Sequence, residues 1–124
     1  MKRLTKEQVI SMHTLLIEST GGSDGIRDEN LLNSALNAPF QSFDGEDLYK
    51  TIKAKAAKLG FFLVKNHPFT DGNKRIGIFV MLTFLEINGV NIDCTDEDLI
   101  KIGLGLAEGS FSDRDLLNWI IDNS

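Results

Sequence analysis

Residues 76–87 constrain the fold most, because their sequence, IGIFVMLTFLEI, is apolar on nearly every side of a helix. A helix that is apolar all round cannot face water and belongs in the middle of a protein. The rest of the chain must therefore supply elements that cover this segment on several sides. Gly89 follows it closely and is placed to end the helix.

Helix start signals recur along the rest of the chain. Capping residues open further helices at Thr5, Asp28, Thr95 and Ser112. A long helix is indicated over residues 47–66, where apolar positions step by three or four from Leu48 onward. No stretch alternates with a period of two for long, so we predict no substantial sheet. The expected fold is all-α, with about six helices around the central buried helix, in one domain over residues 1–124.

Two further expectations concern the surface of this bundle. The lysines of the segment 47–66 lie mostly off its apolar face, which indicates a solvated basic side, or alternatively a docking surface for an acidic partner. The loop before that segment carries Phe40 and Phe43, and both are expected to pack against the core.

Composition excludes several classes of protein. The net charge is −5 and the pI is about 4.9, the opposite of the balance usual in nucleic-acid binders, so no direct nucleic-acid binding is expected. No apolar run reaches the length of a membrane span, and the start, MKRLTKEQ, lacks the apolar core of a secretory signal. The single cysteine, Cys94, suits a reducing compartment. We therefore expect a cytoplasmic protein.

The stretch NHPFTDGNKRIG, residues 66–77, places a polar cluster between two apolar helices. A glycine turn before a helix presents unpaired N–H groups and a positive dipole end, which together attract anions and most often phosphate. Gly72 lets the backbone approach a ligand, and Asn73 could cap the helix or face a phosphate oxygen. Lys74 and Arg75 oppose the dipole by about 0.3–1 kcal/mol each, which is typical of a site selected for function.

The same stretch also contains the groups that acid–base and metal chemistry require. His67 supplies an imidazole, the side chain that most often serves as a general base near neutral pH. Asp71 could pair with the nearby cations, or it could hold Mg²⁺ together with substrate phosphates. Phe69 lies between them and is expected to anchor the loop in the core. A base, a carboxylate and a phosphate cradle indicate phosphoryl or nucleotidyl transfer.

At these residues the chain resembles the Fic/Doc family, in its death-on-curing (Doc) form. HPFTDGNKR matches the Doc motif, His-x-Phe-x-Asp-Ala/Gly-Asn-Lys-Arg, at every position. It departs twice from the longer Fic motif, because Lys74 replaces a glycine and Ile78 stands in place of the final arginine. GIRDENLLNSALNAP and FLEINGVNI are similar to other family segments, so the resemblance extends over almost the whole chain.

The resemblance implies a role for each residue of the motif. His67 would deprotonate the target hydroxyl, and Asp71 would bind Mg²⁺. Nucleotide phosphates would be held by Gly72, Asn73, Lys74 and Arg75. In the Doc form the lysine goes with a reversed nucleotide, so that the γ-phosphate of ATP is transferred to a protein. The expected target is a translation factor, elongation factor Tu, and a small antitoxin is the expected inhibitory partner.

Three other functions remain open from the sequence. One is Fic-like transfer of AMP from ATP to a protein hydroxyl. Another is a helical interaction protein without activity, although every motif residue is present. The last is an RNase toxin, which the acidic balance and the lack of a second histidine near the motif disfavour.

Overall fold

The computed structural model describes residues 1–124 and is all-α, as predicted, apart from one very small hairpin. Six helices follow one another along the chain: α1 (Lys6–Thr20), α2 (Glu29–Asn37), α3 (Ile52–Lys65), α4 (Asn73–Ile87), α5 (Asp96–Glu108) and α6 (Asp113–Asp122). A 3₁₀ turn (Ala38–Phe40) leads into the hairpin strands β1 (Ser42–Phe43) and β2 (Glu46–Asp47). No helix combines the length and the apolarity needed to cross a bilayer.

The centre of the molecule is the antiparallel pair formed by α3 and α4. Helix α3 also packs against α2, α5 and α6, and α4 packs against α1 and α5. Val80, Met81 and Phe84 of α4 are fully buried, which confirms the central position predicted for this helix. One face of α4 is less covered, however, since Phe79 is 41% exposed.

Four predicted helix starts are confirmed by side-chain caps. Thr5, Thr95 and Ser112 each form a reciprocal capping box with the residue three positions later, and Asp28 accepts a hydrogen bond from the Leu31 N–H. Gly89 takes a left-handed conformation (φ 83°) directly after the Asn88 C-cap of α4, as expected from its place in the sequence.

The predicted start of the long helix is wrong. Helix α3 begins at Ile52 with Thr51 as its cap, while residues 46 and 47 form a strand and Leu48 is 51% exposed. The apolar spacing of residue 48 matched the helix period, but the Thr51 side chain caps the helix three residues later by accepting the Ala54 N–H. Pairing between β1 and β2 then carries Leu48 away from the core.

Two expectations about the surface are also corrected. Lys55 is buried, and its ammonium group binds the Asp47 carboxylate and the Tyr49 carbonyl, so the lysines of α3 do not form a continuous solvated side. Phe43 is 76% exposed because it lies in the hairpin. Phe40 behaves as predicted, packing edge-on against Phe84 of the core.

Candidate active site

The motif loop begins at His67, which occupies the position directly after the cap of α3 in a left-handed conformation (φ 50°). Glycine is the usual residue at such a position because a side chain there costs on the order of 1 kcal/mol. The His67 side chain is exposed to solvent. An unfavourable backbone conformation that presents a histidine to solvent is typical of functional sites.

Arg27 holds the strained backbone at His67. Its Nε donates to the His67 carbonyl (2.6 Å), and its Nη2 donates to the Asn66 carbonyl (3.1 Å). The backbone N–H groups of Arg27 and Asp28 both donate to the Pro68 carbonyl. Arg27 was not predicted as a site residue. The only signal available was its place in GIRDEN, within a segment that resembles the family.

Phe69 anchors the loop, as predicted. Its side chain is fully buried, and its backbone N–H and carbonyl both bond to the Asn73 side chain, each at 3.0 Å. Both ends of the Asn73 amide therefore bond the loop backbone, and this buried side chain holds the loop together.

Asp71 is an ionised, half-exposed carboxylate held in a fixed orientation. Its Oδ1 accepts the Gly72 N–H (2.8 Å), its Oδ2 accepts the Ser23 N–H (3.3 Å), and Arg75 Nη2 lies 3.8 Å from Oδ1. The hydrogen bond from Gly72, followed by that from Ser23, lowers the pKa of Asp71 below its ordinary value.

The remaining lone pairs of the Asp71 carboxylate suit a hard cation such as Mg²⁺, which takes one or two carboxylates and completes its shell with phosphate oxygens and water. No group of three or more His, Cys, Asp or Glu side chains is placed to hold a metal ion. The donor set at Asp71 therefore fits an ion that arrives with phosphates.

The amino end of α4 differs from the other helix starts. Gly72 is its N-cap, with φ 76°, and no side chain caps it, whereas a side chain caps each of the other five α-helices. The first turn of α4 contains no acidic residue and carries Lys74, which is exposed, and Arg75. Because no side chain caps this turn, its backbone N–H groups are available to bind an anion.

Arg75 is only partly available to such an anion. Its Nη1 donates to the Thr20 hydroxyl and to the Gly21 carbonyl (3.1 Å), which ties the site to the end of α1. Lys74 makes no comparable bond. Of the two predicted cations, Lys74 is therefore the free one.

The structure brings a second histidine to the motif. His13 of α1 is 1% exposed, and its Nε2 lies 2.7 Å from the Asp71 carbonyl oxygen, although the residues are 58 positions apart. The expectation that no second histidine lies near the motif holds along the chain and is wrong in space. A buried ring cannot reach an RNA backbone, so His13 and His67 do not form a pair suited to RNA cleavage.

A largely apolar groove of about 620 Å³ runs between α1, α4 and α5, and the two cations are part of its lining. Leu16 lines it from α1, Ile78 and Phe79 line it from α4, and Ile100 and Leu104 line it from α5. Ile78, which stands where the Fic motif has its last arginine, is thus an apolar wall of this groove.

Comparison with known proteins agrees with the motif geometry. The model of the Fic/DOC family matches residues 3–85, which include α1 to α3, the motif loop and most of α4. The chain belongs to the Fic/DOC family. Helix α5 and helix α6 lie outside the matched residues and complete the packing around α3 and α4.

Two relatives within this family have descriptive names. The chain is 37% identical over 89 residues to "Toxin Doc" of Mycolicibacterium smegmatis, covering 72% of this chain and 66% of that protein. It is 27% identical over 112 residues to "Protein kinase doc" of Escherichia phage P1, covering 90% of this chain and 87% of that protein. The match to the mycobacterial toxin thus spans slightly less than two thirds of its length.

Proposed function

We propose that this Fic/DOC protein is a Doc-type toxin that transfers the γ-phosphate of ATP to a serine or threonine hydroxyl of a translation factor. Elongation factor Tu is the proposed target by resemblance to the family. The names of the two relatives, a Doc toxin and a Doc protein kinase, support this choice of activity.

The observation that carries the proposal is the uncapped amino end of α4. Each of the other α-helices begins with a side chain that accepts a hydrogen bond from one N–H of its first turn, whereas α4 begins with Gly72 and two cations. Bare N–H groups, the helix dipole and Lys74 all favour a multiply charged anion at the same place. A nucleotide triphosphate supplies such a charge.

Three side chains of the motif, those of His67, Asp71 and Lys74, have a role in the proposed transfer. The exposed His67 imidazole accepts the proton of the target hydroxyl as its oxygen attacks the γ-phosphorus. The bond between the γ-phosphorus and the bridging oxygen breaks, and ADP leaves. Lys74 and the first N–H groups of α4 stabilise the negative charge of the phosphates. Mg²⁺, held by Asp71 with the phosphate oxygens, would neutralise part of that charge.

Transfer of AMP is the second candidate, because the family also contains Fic-type enzymes. Two features of this chain favour phosphate transfer instead. Lys74 fills space where the Fic motif has glycine, and Ile78 places an apolar side chain where that motif has an arginine. The region after the motif therefore lacks one positive charge of the Fic site.

Labelled ATP separates the two reactions. The purified protein is incubated with elongation factor Tu, Mg²⁺ and ATP labelled in either the γ- or the α-phosphate. We expect label only from γ-labelled ATP, and loss of about 10²–10⁴-fold in His67→Ala. Asn118→Ala, on the exposed side of α6, is the matched control and should transfer normally. Label from α-labelled ATP would establish AMP transfer, and no label from either would overturn the proposal.

We also propose that the antitoxin partner occupies the groove between α1, α4 and α5. The α3 lysines, the docking surface considered from the sequence, are a poorer candidate because Lys55 and Lys58 already bind Asp47 and Asp113. The lining of the groove is mostly apolar, and its charged residues are Lys74, Arg75 and Asp96, two cations against one carboxylate. It therefore suits an amphipathic segment that carries a carboxylate near one end.

Single charges in the groove test this partner site. Ile100 is 62% exposed in the groove, and Ile121 is 50% exposed on α6 outside it. Ile100→Asp should weaken binding of the antitoxin encoded beside the toxin gene, whereas Ile121→Asp should not. Equal affinity of both variants would place the antitoxin elsewhere.

A further inference from the structure

His13 is the most deeply buried polar side chain outside the motif, and both of its ring nitrogens and one face of its ring have a defined partner. Nε2 lies 2.7 Å from the Asp71 carbonyl oxygen, and Nδ1 lies 3.2 Å from Asp24 Oδ1. The ring stacks on Phe69 with 3.9 Å between centroids and 8° between planes. His13 of α1 thus contacts both Phe69, which anchors the loop, and Asp71, which is proposed to hold Mg²⁺.

The contact at Nε2 has a direction that can be assigned. A carbonyl oxygen only accepts hydrogen bonds, so Nε2 carries a proton and donates it to Asp71. The Asp71 carbonyl takes no part in the ladder of α4, where the first backbone bond runs from the Ile76 N–H to the Gly72 carbonyl. His13 is therefore the group that sets the direction of this carbonyl.

That direction determines where the Asp71 carboxylate lies. The peptide group is planar and trans, so fixing the Asp71 carbonyl also fixes the Gly72 N–H on the opposite side of the same peptide. This N–H donates to Asp71 Oδ1 at 2.8 Å. A chain of hydrogen bonds thus runs from His13 through one rigid peptide to the carboxylate.

We propose that His13 is a positioning residue whose Nε2–H fixes the Asp71–Gly72 peptide and thereby orients the Asp71 carboxylate toward the metal–nucleotide. The inference rests on the proposed role of Asp71 and adds a residue outside the motif to the site. His13 does not act as a second base, because its ring is enclosed by Phe69 and the loop.

The competing explanation is that His13 only fills space beneath Phe69, and two substitutions separate the explanations. His13→Gln keeps an amide donor near the Nε2 position and loses the stacked ring. His13→Phe keeps a ring that can stack on Phe69 and loses the donor. Positioning through the hydrogen bond requires the Gln variant to resemble the unsubstituted protein, whereas a packing role requires the Phe variant to do so.

Two measurements distinguish these explanations without relying on transfer activity. Hydrogen exchange of the Gly72 N–H should accelerate about tenfold in His13→Phe, because loss of the hydrogen bond that holds the Asp71–Gly72 peptide makes local opening easier. The Val80 N–H in the middle of α4 is the internal control for general unfolding. Calorimetry should show that Mg²⁺-ATP binds about 10–100-fold more weakly to His13→Phe, with ATP alone little changed. His13→Gln should be close to normal in both.

A Gln variant that folds but shows the same losses as the Phe variant would overturn the inference. If the Phe variant does not fold, normal exchange and affinity in the Gln variant support positioning by the donor, and impaired values contradict it. Failure of the unsubstituted protein to bind Mg²⁺-ATP overturns the proposed role of Asp71 and leaves Gly72 exchange to decide whether His13 orients the peptide.

Discussion

At the scale of single residues, His67 and Lys74 both occupy positions where the backbone favours another residue. His67 has a positive φ directly after α3, where glycine is preferred, and Lys74 places a cation at the positive end of a helix. Both preferences are broken within eight residues of each other, whereas a side chain caps the start of each of the other five α-helices. Local disagreement of this kind is expected where function has been selected over stability.

His67→Gly should raise stability and remove activity. Glycine adopts the left-handed conformation without penalty, so the free energy of unfolding should rise by up to about 1 kcal/mol in urea denaturation. Phosphate transfer should fall by about 10²–10⁴-fold because the proposed general base is lost. Asp44→Gly is the backbone control, because Asp44 is the other non-glycine residue with a positive φ (54°). A marked loss of stability in His67→Gly would contradict strain at this position.

Lys74→Gly should reduce γ-phosphate transfer with little change in stability. Glycine costs about 1 kcal/mol in a helix interior and less near its start, and removal of the cation returns about 0.3–1 kcal/mol. A trace of AMP transfer is the second expected effect. Lys74→Met keeps bulk without charge and so shows which property matters. Label from γ-labelled ATP at the unsubstituted rate would show that Lys74 is not needed.

At the scale of secondary-structure elements, ion pairs connect α3 to its neighbours. Lys58 of α3 binds Asp113 in the first turn of α6, and its ammonium group also lies 5.0 Å from the Tyr49 ring centroid. The hydrogen bond from Lys58 is the main cause of the lowered pKa of Asp113. The pair therefore stabilises packing of α6 on α3 wherever Asp113 is ionised.

The contribution of this pair should depend on pH in one direction. Because the pKa of Asp113 is lower in the folded state, its stabilisation is complete above the ordinary carboxyl pKa of about 4 and is lost as pH falls through the folded pKa. The difference in unfolding free energy between the unsubstituted protein and Lys58→Met should therefore shrink below about pH 4. Lys53→Met, on the same helix without an ion pair, should show no such change. A difference independent of pH would contradict the pairing.

At the scale of the whole molecule, the close approach of α3 and α4 determines the geometry of the motif loop that joins them. A Cβ added at Gly77 of α4 would lie 2.7 Å from Val64 Cγ2 and 3.1 Å from the Gly60 carbonyl oxygen of α3. The helices can be this close only because residue 77 has no side chain. The loop from α3 to α4 consequently starts and ends at nearly fixed points.

Gly77→Ala should lower stability although alanine is the better helix former. Overpacking against α3 costs about 1–3 kcal/mol, compared with a gain of up to about 1 kcal/mol in helix propensity. Gly103→Ala is the matched control, because its added Cβ would lie 3.5 Å from Lys74 Cβ, an ordinary contact, and should raise stability. Urea denaturation measures both. Equal stability gains would mean that α3 and α4 can separate without cost.

The sequence by itself determined the features that depend on residues close together along the chain. Capping boxes act over three residues and apolar periodicity over two turns, so the helices and the central position of α4 could be predicted. The motif loop is equally local, with Phe69 and Asn73 bonding across four residues. For the same reason, the sequence alone predicted that Phe69 anchors the loop.

Only the tertiary structure decided which distant residues reach that loop. His13 meets Asp71 across 58 positions and Arg27 meets His67 across 40, and no local spacing encodes either contact. The same holds for Lys58, whose partner Asp113 lies 55 positions away. Contacts of this kind form only when the helices pack. Packing brings polar groups from distant parts of the sequence within hydrogen-bonding distance, and groups that lose contact with water need such partners.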